Sequence, residues 1–241
     1  MRRVGFGTTE LAPHVIGGAG ILTAELSERL ADRGVDSHAV VGVDHRTADD
    51  LPSVTFVEPI TAPGWGMAFM DMSMAVAEGL SSQHKTVPFD LIEVQDFDGL
   101  PFWLLTHRRD LGFGDVPIVV RFHGPVDLQI EAMGVKDRVL EAAAAMERQS
   151  YLMADGVVVP TVGIGELVVE RYGVDPDRIA VGAPPVRPLS PTVAWSPGGT
   201  DRLCVGRRAE VKGSHDVVEA AVPVREDHPG ARLVFVGADG W

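Results

Sequence analysis

Three segments carry residue types and spacings suited to holding an anionic group. The first is Thr8-Thr9-Glu10-Leu11-Ala12-Pro13-His14-Val15-Ile16-Gly17-Gly18-Ala19-Gly20, which joins an apolar run to a helical pattern. Glycines at a helix N-terminus let backbone N–H groups approach an anion, and the helix dipole favours negative charge there. Gly17 and Gly18 are therefore candidate phosphate contacts, although such a cluster is as readily a plain turn. A dinucleotide fingerprint does not fit: the loop is too long, and Gly5-x-Gly7-x-x-Glu10 has glutamate in place of the third glycine. A nicotinamide enzyme is disfavoured. The second segment is Val205-Gly206-Arg207-Arg208-Ala209-Glu210-Val211-Lys212-Gly213. Arg207 and Lys212, bracketed by glycines at a strand-to-helix turn, suit a diphosphate, the guanidinium as a fork and the ammonium as a point charge. The third, Val119-Val120-Arg121-Phe122-His123-Gly124-Pro125, ends a strand with His123, at the end where open α/β sheets bind ligands.

Asp96-Phe97-Asp98 needs separate weighing. An Asp-x-Asp pair can hold a divalent cation, but loop aspartates also cap helices and form turns, and no metal is expected here. Glu93 and Asp96 are alternatively placed to meet an acceptor hydroxyl. The remaining histidines lack metal-ligand spacing, and neither a Gly-x-Ser-x-Gly elbow nor a Gly-x-x-x-x-Gly-Lys-Ser/Thr loop is present. The single cysteine, Cys204, excludes an internal disulfide and a thiolate cage.

The elements that position these residues follow from periodicity. Short β-branched runs at 4–6, 38–43, 54–57, 91–94, 118–122, 157–159 and 179–181 alternate with helical patterns, which predicts an α/β fold with a parallel sheet. Ala19, Leu22, Leu26 and Leu30 recur at helical spacing before Gly34, and further helices are predicted at 67–80, 136–153 and 164–172. The methionine stripe of 67–80 reads as core packing. Residues 1–182 are expected to form one Rossmann-like domain. Residues 183–200 carry five prolines, Pro184, Pro185, Pro188, Pro191 and Pro197, with Gly198 and Gly199, the composition of an extended linker. After it the pattern restarts with a strand at 202–205, a helix at 214–224 and a strand at 232–236, the opening of a second Rossmann-like domain over 201–241.

The chain of 241 residues carries 34 acidic against 21 Lys and Arg residues, a net charge of -13, which argues against nucleic acid as a partner. No apolar run reaches the roughly 18 residues of a membrane span. A cytoplasmic location is expected, with peripheral membrane contact left open.

Taken in order, these segments resemble family 4 glycosyltransferases of the GT-B fold. The resemblance runs through Pro13 to Gly20, Phe89-Asp90-Leu91-Ile92-Glu93-Val94-Gln95-Asp96, Val119 to Gly124 and Met146-Glu147-Arg148. It continues through Met153 to Pro160 and Glu170 to Ile179, and ends in Gly206-Arg207 with Lys212-Gly213. It implies retaining transfer of a sugar from a nucleotide diphosphate sugar, UDP-, GDP- or ADP-linked, to an acceptor hydroxyl, without cofactor or metal. By position it implies that Gly17 and Gly18 approach the donor, that His123 contacts the sugar near the reacting carbon, and that Arg207 and Lys212 neutralise the leaving diphosphate. Arg208 departs from the pattern, standing where an apolar residue is usual. The family's Glu-x-x-x-x-x-x-x-Glu donor segment does not occur in residues 201–241, so little or no transfer is expected from residues 1–241 alone. The rival expectation is a non-catalytic binding or interaction module completed by a partner chain.

Overall fold

Parallel strands need a crossover of a dozen or more residues to bring the chain back to the same end of the sheet, and the helical patterns supply it. The computed structural model describes residues 2–14, 17–43, 52–60, 68–185, 201–206, 208 and 212–237. Val15, Ile16, Met67, Arg207 and the proline-rich stretch from residue 186 to 200 lie outside them. Contacts divide the chain into two units, Met1–Arg187 and Pro188–Trp241.

In the first unit the order is β1 (Arg3–Thr8), α1 (Gly18–Ala31), β2 (Asp36–Gly42), β3 (Val54–Val57), α2 (Ala68–Thr86) and β4 (Leu91–Gln95). A 3-10 turn (Phe97–Gly99) follows, then α3 (Phe102–Thr106), β5 (Ile118–Arg121), α4 (Val126–Met133), α5 (Arg138–Met153), β6 (Gly156–Val159), α6 (Val162–Tyr172) and β7 (Ile179–Val181). The seven strands are all parallel, in the order β3-β2-β1-β4-β5-β6-β7. The order reverses between β1 and β4, the switch point at which a doubly wound sheet opens a crevice beyond its carboxyl ends.

Alternation along the strands sorts the core into two layers. Val4 and Phe6 of β1 and Ala39 and Val41 of β2 pack with Leu26 and Leu30 of α1. The intervening Val40 packs on the opposite face with Val76, Ala77 and Leu80 of α2. Gly7 makes the second contact close: a Cβ there would stand 3.0 Å from Val94 and 3.1 Å from Val76.

The predicted strands are all found, and the helices differ in several respects. α2 runs on to Thr86, and its buried residues are Asp71, Ser73, Ala75, Val76, Ala77, Leu80 and Ser81, with Met70, Met72 and Met74 only half-buried. These three methionines flank the core, and of them only Met72 packs against the central cluster. Ser73 is tolerated inside because its hydroxyl donates to the Leu100 carbonyl at 2.8 Å and accepts from the Trp103 N–H at 2.9 Å. The short helices α3 and α4 were not anticipated.

The second unit holds β8 (Arg202–Val205), α7 (Ser214–Asp227) and β9 (Leu233–Val236), with β8 and β9 parallel. α7 continues past Pro223 to Asp227.

Candidate functional site

Three adjacent strands, β1, β4 and β5, bring the sequence motifs of the first unit to one rim. After β1, Thr8 turns the chain: its Oγ1 accepts from the Glu10 N–H at 3.0 Å and donates to the Glu10 carbonyl at 2.7 Å. This aims the Glu10 side chain at the start of α1, where Oε2 accepts from the N–H groups of Ala19 at 3.1 Å and Gly20 at 3.2 Å. Gly17, the N-cap, offers no side chain, so Glu10 caps the helix from a distance in sequence. The glycines now separate by cause. A Cβ on Gly17 would fall 2.0 Å from the Glu10 carboxyl, and one on Gly20 would fall 2.8 Å from Glu10 backbone. These two are glycine because Glu10 lies against them. A Cβ on Gly18 would meet nothing within 4 Å among the described residues, and Gly18 is exposed, which leaves this position free for a ligand to approach. The residue that breaks the dinucleotide fingerprint is thus the one that places an anion at the head of α1.

After β4, Asp96 is 0% exposed. Its Oδ2 accepts from the His123 N–H at 3.0 Å and the Tyr151 hydroxyl at 2.8 Å, while Oδ1 is buried without a partner among the described residues. Loss of hydration pushes this carboxyl up to about 6, against the bonds it accepts. Asp96 therefore faces inward and does not reach for an acceptor. Glu93 does not either, since it forms a two-pronged ion pair with Arg121, Nε to Oε1 at 2.6 Å and Nη2 to Oε2 at 2.9 Å. Asp98 takes a left-handed backbone, φ 53°, which costs a non-glycine residue on the order of 1 kcal/mol. Among the described residues no cluster of three His, Cys, Asp or Glu side chains is placed to hold a metal ion.

After β5, His123 stacks on Phe97 with ring centroids 5.6 Å apart and planes 11° from parallel. Burial, with a smaller push from the Arg121 charge, holds the imidazole down at about 4. It is neutral at physiological pH, and its Nε2 is buried with no partner among the described residues. A neutral ring nitrogen in that state accepts or donates one hydrogen bond without bringing charge. Gln129 holds the next residue, donating from Nε2 to the Gly124 carbonyl at 3.1 Å. Phe97 and Asp98 also line a cavity of about 260 Å³ with Val126, Gln129, Ile130 and Leu140.

Beneath the rim lies a group that sequence reasoning passed over. Glu147 of α5 is 1% exposed, accepting from the Asp98 N–H with Oε1 at 3.0 Å and from the Val126 N–H with Oε2 at 2.8 Å. Burial and the neighbouring Asp96 charge push it up to about 9 despite those bonds. Between about pH 6 and 9 the Asp96–Glu147 pair thus keeps one proton. The available signal was its phase: 143, 146, 147, 150 and 151 form the buried face of α5.

In the second unit Lys212 is exposed just before Gly213, the left-handed N-cap of α7 with φ 67°. Arg207 lies outside the described residues, and Arg208 is half-buried.

The family model for Glycosyltransferase Family 4 matches residues 16–188. A D-inositol 3-phosphate glycosyltransferase of Geodermatophilus obscurus is 27% identical over 247 residues, covering 90% of this chain and 52% of that protein. A glycogen synthase of Mycobacterium tuberculosis is 26% identical over 257 residues, covering 95% and 59%. The chain spans a little over half the length of these curated relatives. Among solved structures, a sucrose-phosphate synthase of Thermosynechococcus elongatus has a TM-score of 0.61 at 16% identity, covering 99% of this chain and 71% of that one. The catalytic domain of starch synthase IV from Arabidopsis thaliana, bound to ADP and acarbose, has a TM-score of 0.60 at 13% identity, covering 100% and 69%. At such identities the likeness is one of fold, and the fold is GT-B.

Proposed function

Because this chain belongs to glycosyltransferase family 4, we propose that it forms the acceptor side and the phosphate-binding opening of a retaining glycosyltransferase. The observation that carries the reading is His123, neutral and stacked on Phe97, with an unpartnered Nε2 at the carboxyl ends of the strands beside the switch point. There it would donate to or accept from a hydroxyl of the transferred sugar. The donor is a nucleoside diphosphate sugar, a class that the ADP bound to the starch synthase neighbour supports. The open backbone at Gly18, with Gly17 behind it, would approach its phosphates. Arg207 and Lys212 would neutralise the diphosphate as the sugar–phosphate bond breaks, fixed charge of the kind that lowers such a barrier. A leaving phosphate oxygen on the same face takes the acceptor proton, so the scheme uses no protein base, metal or cofactor. The cavity beside Phe97 is the proposed acceptor seat.

The test is transfer of labelled hexose from UDP-, GDP- and ADP-glucose to a panel of sugar and polyol acceptors by the full-length protein. His123→Ala should lower turnover by roughly 100-fold or more with the fold intact, and Lys212→Ala should weaken donor use. Unchanged turnover in both variants would sink the assignment.

A second reading, a non-catalytic module completed by a partner chain, draws on the second unit. Leu203 faces Val234 and Val205 faces Val236, and all four share one side of the two-stranded sheet, 63%, 37%, 76% and 52% exposed. Nucleotide binding without hydrolysis or transfer would favour it.

A further inference from the structure

The transfer scheme makes no use of Glu147, yet this residue sits at the crossing of the loops that shape the site. A helix face made of Ala143, Met146, Ser150 and Tyr151 ordinarily excludes a carboxyl, which is tolerated there only where fixed donors replace water. Both donors come from outside α5, and from two different loops. The Asp98 N–H belongs to the turn after β4, one residue past Phe97. The Val126 N–H opens α4 after β5, three residues past His123. One side chain therefore joins the two loops that carry the stacked rings. Asp98 has a left-handed backbone that something must hold, and its N–H is bonded to Glu147. The turn also rests directly on α5: a Cβ on Gly99 would fall 2.4 Å from Cβ of Met146, the neighbour of Glu147. From the other side, Asp96 takes the His123 N–H and is itself held by Tyr151, also of α5.

We infer that Glu147 is a positioning residue for His123: each of its carboxyl oxygens anchors one loop, and together they fix the Phe97–His123 stack and the direction in which Nε2 faces a sugar. The inference rests on the role proposed for His123.

Two variants of the nitrogen-15-labelled chain test it. Glu147→Gln keeps the size but replaces one acceptor oxygen with an amide NH2, so one loop N–H loses its partner. Val126→Pro leaves Glu147 intact and removes an N–H instead. Position 126 is the first residue of α4, where proline is well accepted, and Pro125 already has the extended ψ of 155° that a following proline requires. In Glu147→Gln the exchange of the Asp98 or Val126 amide should rise by roughly tenfold or more. In both variants the His123 ring signals should shift and its pKa should climb from about 4 toward 6.5 as the ring gains solvent. An unchanged ring pKa in both folded variants overturns the inference, whatever happens to their melting temperatures. If one variant does not fold, the other decides. If neither folds, amide exchange in the unaltered chain decides, and rates at Asp98 and Val126 as fast as in open loops overturn it. None of these readouts needs a sugar donor. Absence of transfer would therefore sink the role of His123 while leaving the anchoring intact, and loss of the anchoring would leave transfer standing.

Discussion

A carboxylate tethered at the head of α1 competes with any phosphate that approaches Gly18, and it does so at a fixed local concentration. The interaction of an anion with a helix N-terminus is worth about 0.3–1 kcal/mol at an exposed site. Glu10→Gln, which keeps the shape and removes the charge, should therefore tighten binding of the nucleoside diphosphate that the chain takes, tried as UDP, GDP and ADP, roughly two- to fivefold by calorimetry; weaker binding would mean that Glu10 assists the phosphate. The buried pair makes a second prediction at this scale. Glu147 is raised from 4.5 to about 9 and Asp96 from 3.8 to about 6, so the folded chain holds more protons than the unfolded one within those windows. Stability must then fall as pH rises. His123 has the opposite sign, since lowering from 6.5 to about 4 removes stability as pH falls through that range. Above pH 6.5 the Glu147 trend stands alone among the three. Melting temperature should drop from pH 6.5 to 9, and Glu147→Gln, uncharged throughout, should flatten the slope.

At the scale of elements, the contact between helix and sheet is set by where a side chain is missing. Gly79 lies inside α2, and a Cβ there would stand 2.6 Å from Val40 Cγ1. Alanine in a helix gains about 1 kcal/mol over glycine, but overpacking a buried valine costs about 1–3 kcal/mol. The overlap wins, and Gly79→Ala should lower the melting temperature. A Cβ on Gly163 in α6 would meet nothing within 4 Å among the described residues, so Gly163→Ala should raise it. Those two positions are indistinguishable in the sequence, because helical period says which face a residue occupies and not how near the next layer lies. For the same reason the strands were legible and α3 and α4 were not. α4 has Pro125 as its N-cap, with no side-chain cap, and after eight residues reaches its C-cap Gly134, too short for a period to register. His123 and Gly18 could be picked out because strand ends and glycine clusters mark themselves. Glu147 was marked only by its phase beside Ala143, Met146, Ser150 and Tyr151, since a glutamate in an Ala- and Glu-rich helix otherwise looks solvated until neighbouring loops supply the two N–H groups.

For the whole molecule, charge and apolar surface act in opposition. A net charge of -13 keeps copies apart at low ionic strength, whereas the shared face of Leu203, Val205, Val234 and Val236 draws them together. Adding salt screens the first and leaves the second, so light scattering should report a growing apparent mass with ionic strength, and Val205→Lys with Val234→Lys should suppress it. The first unit also has a direction. With every strand of its sheet parallel, all carboxyl ends open at one rim and all amino ends at the other. Gly114, in the loop leading into β5, belongs to the second rim, and a Cβ there would meet nothing within 4 Å among the described residues. A cysteine at that point, with only Cys204 to compete, gives a handle on the side away from the proposed site. A sensor surface coupled through it would present every copy with His123 and Gly18 turned toward the flowing solution.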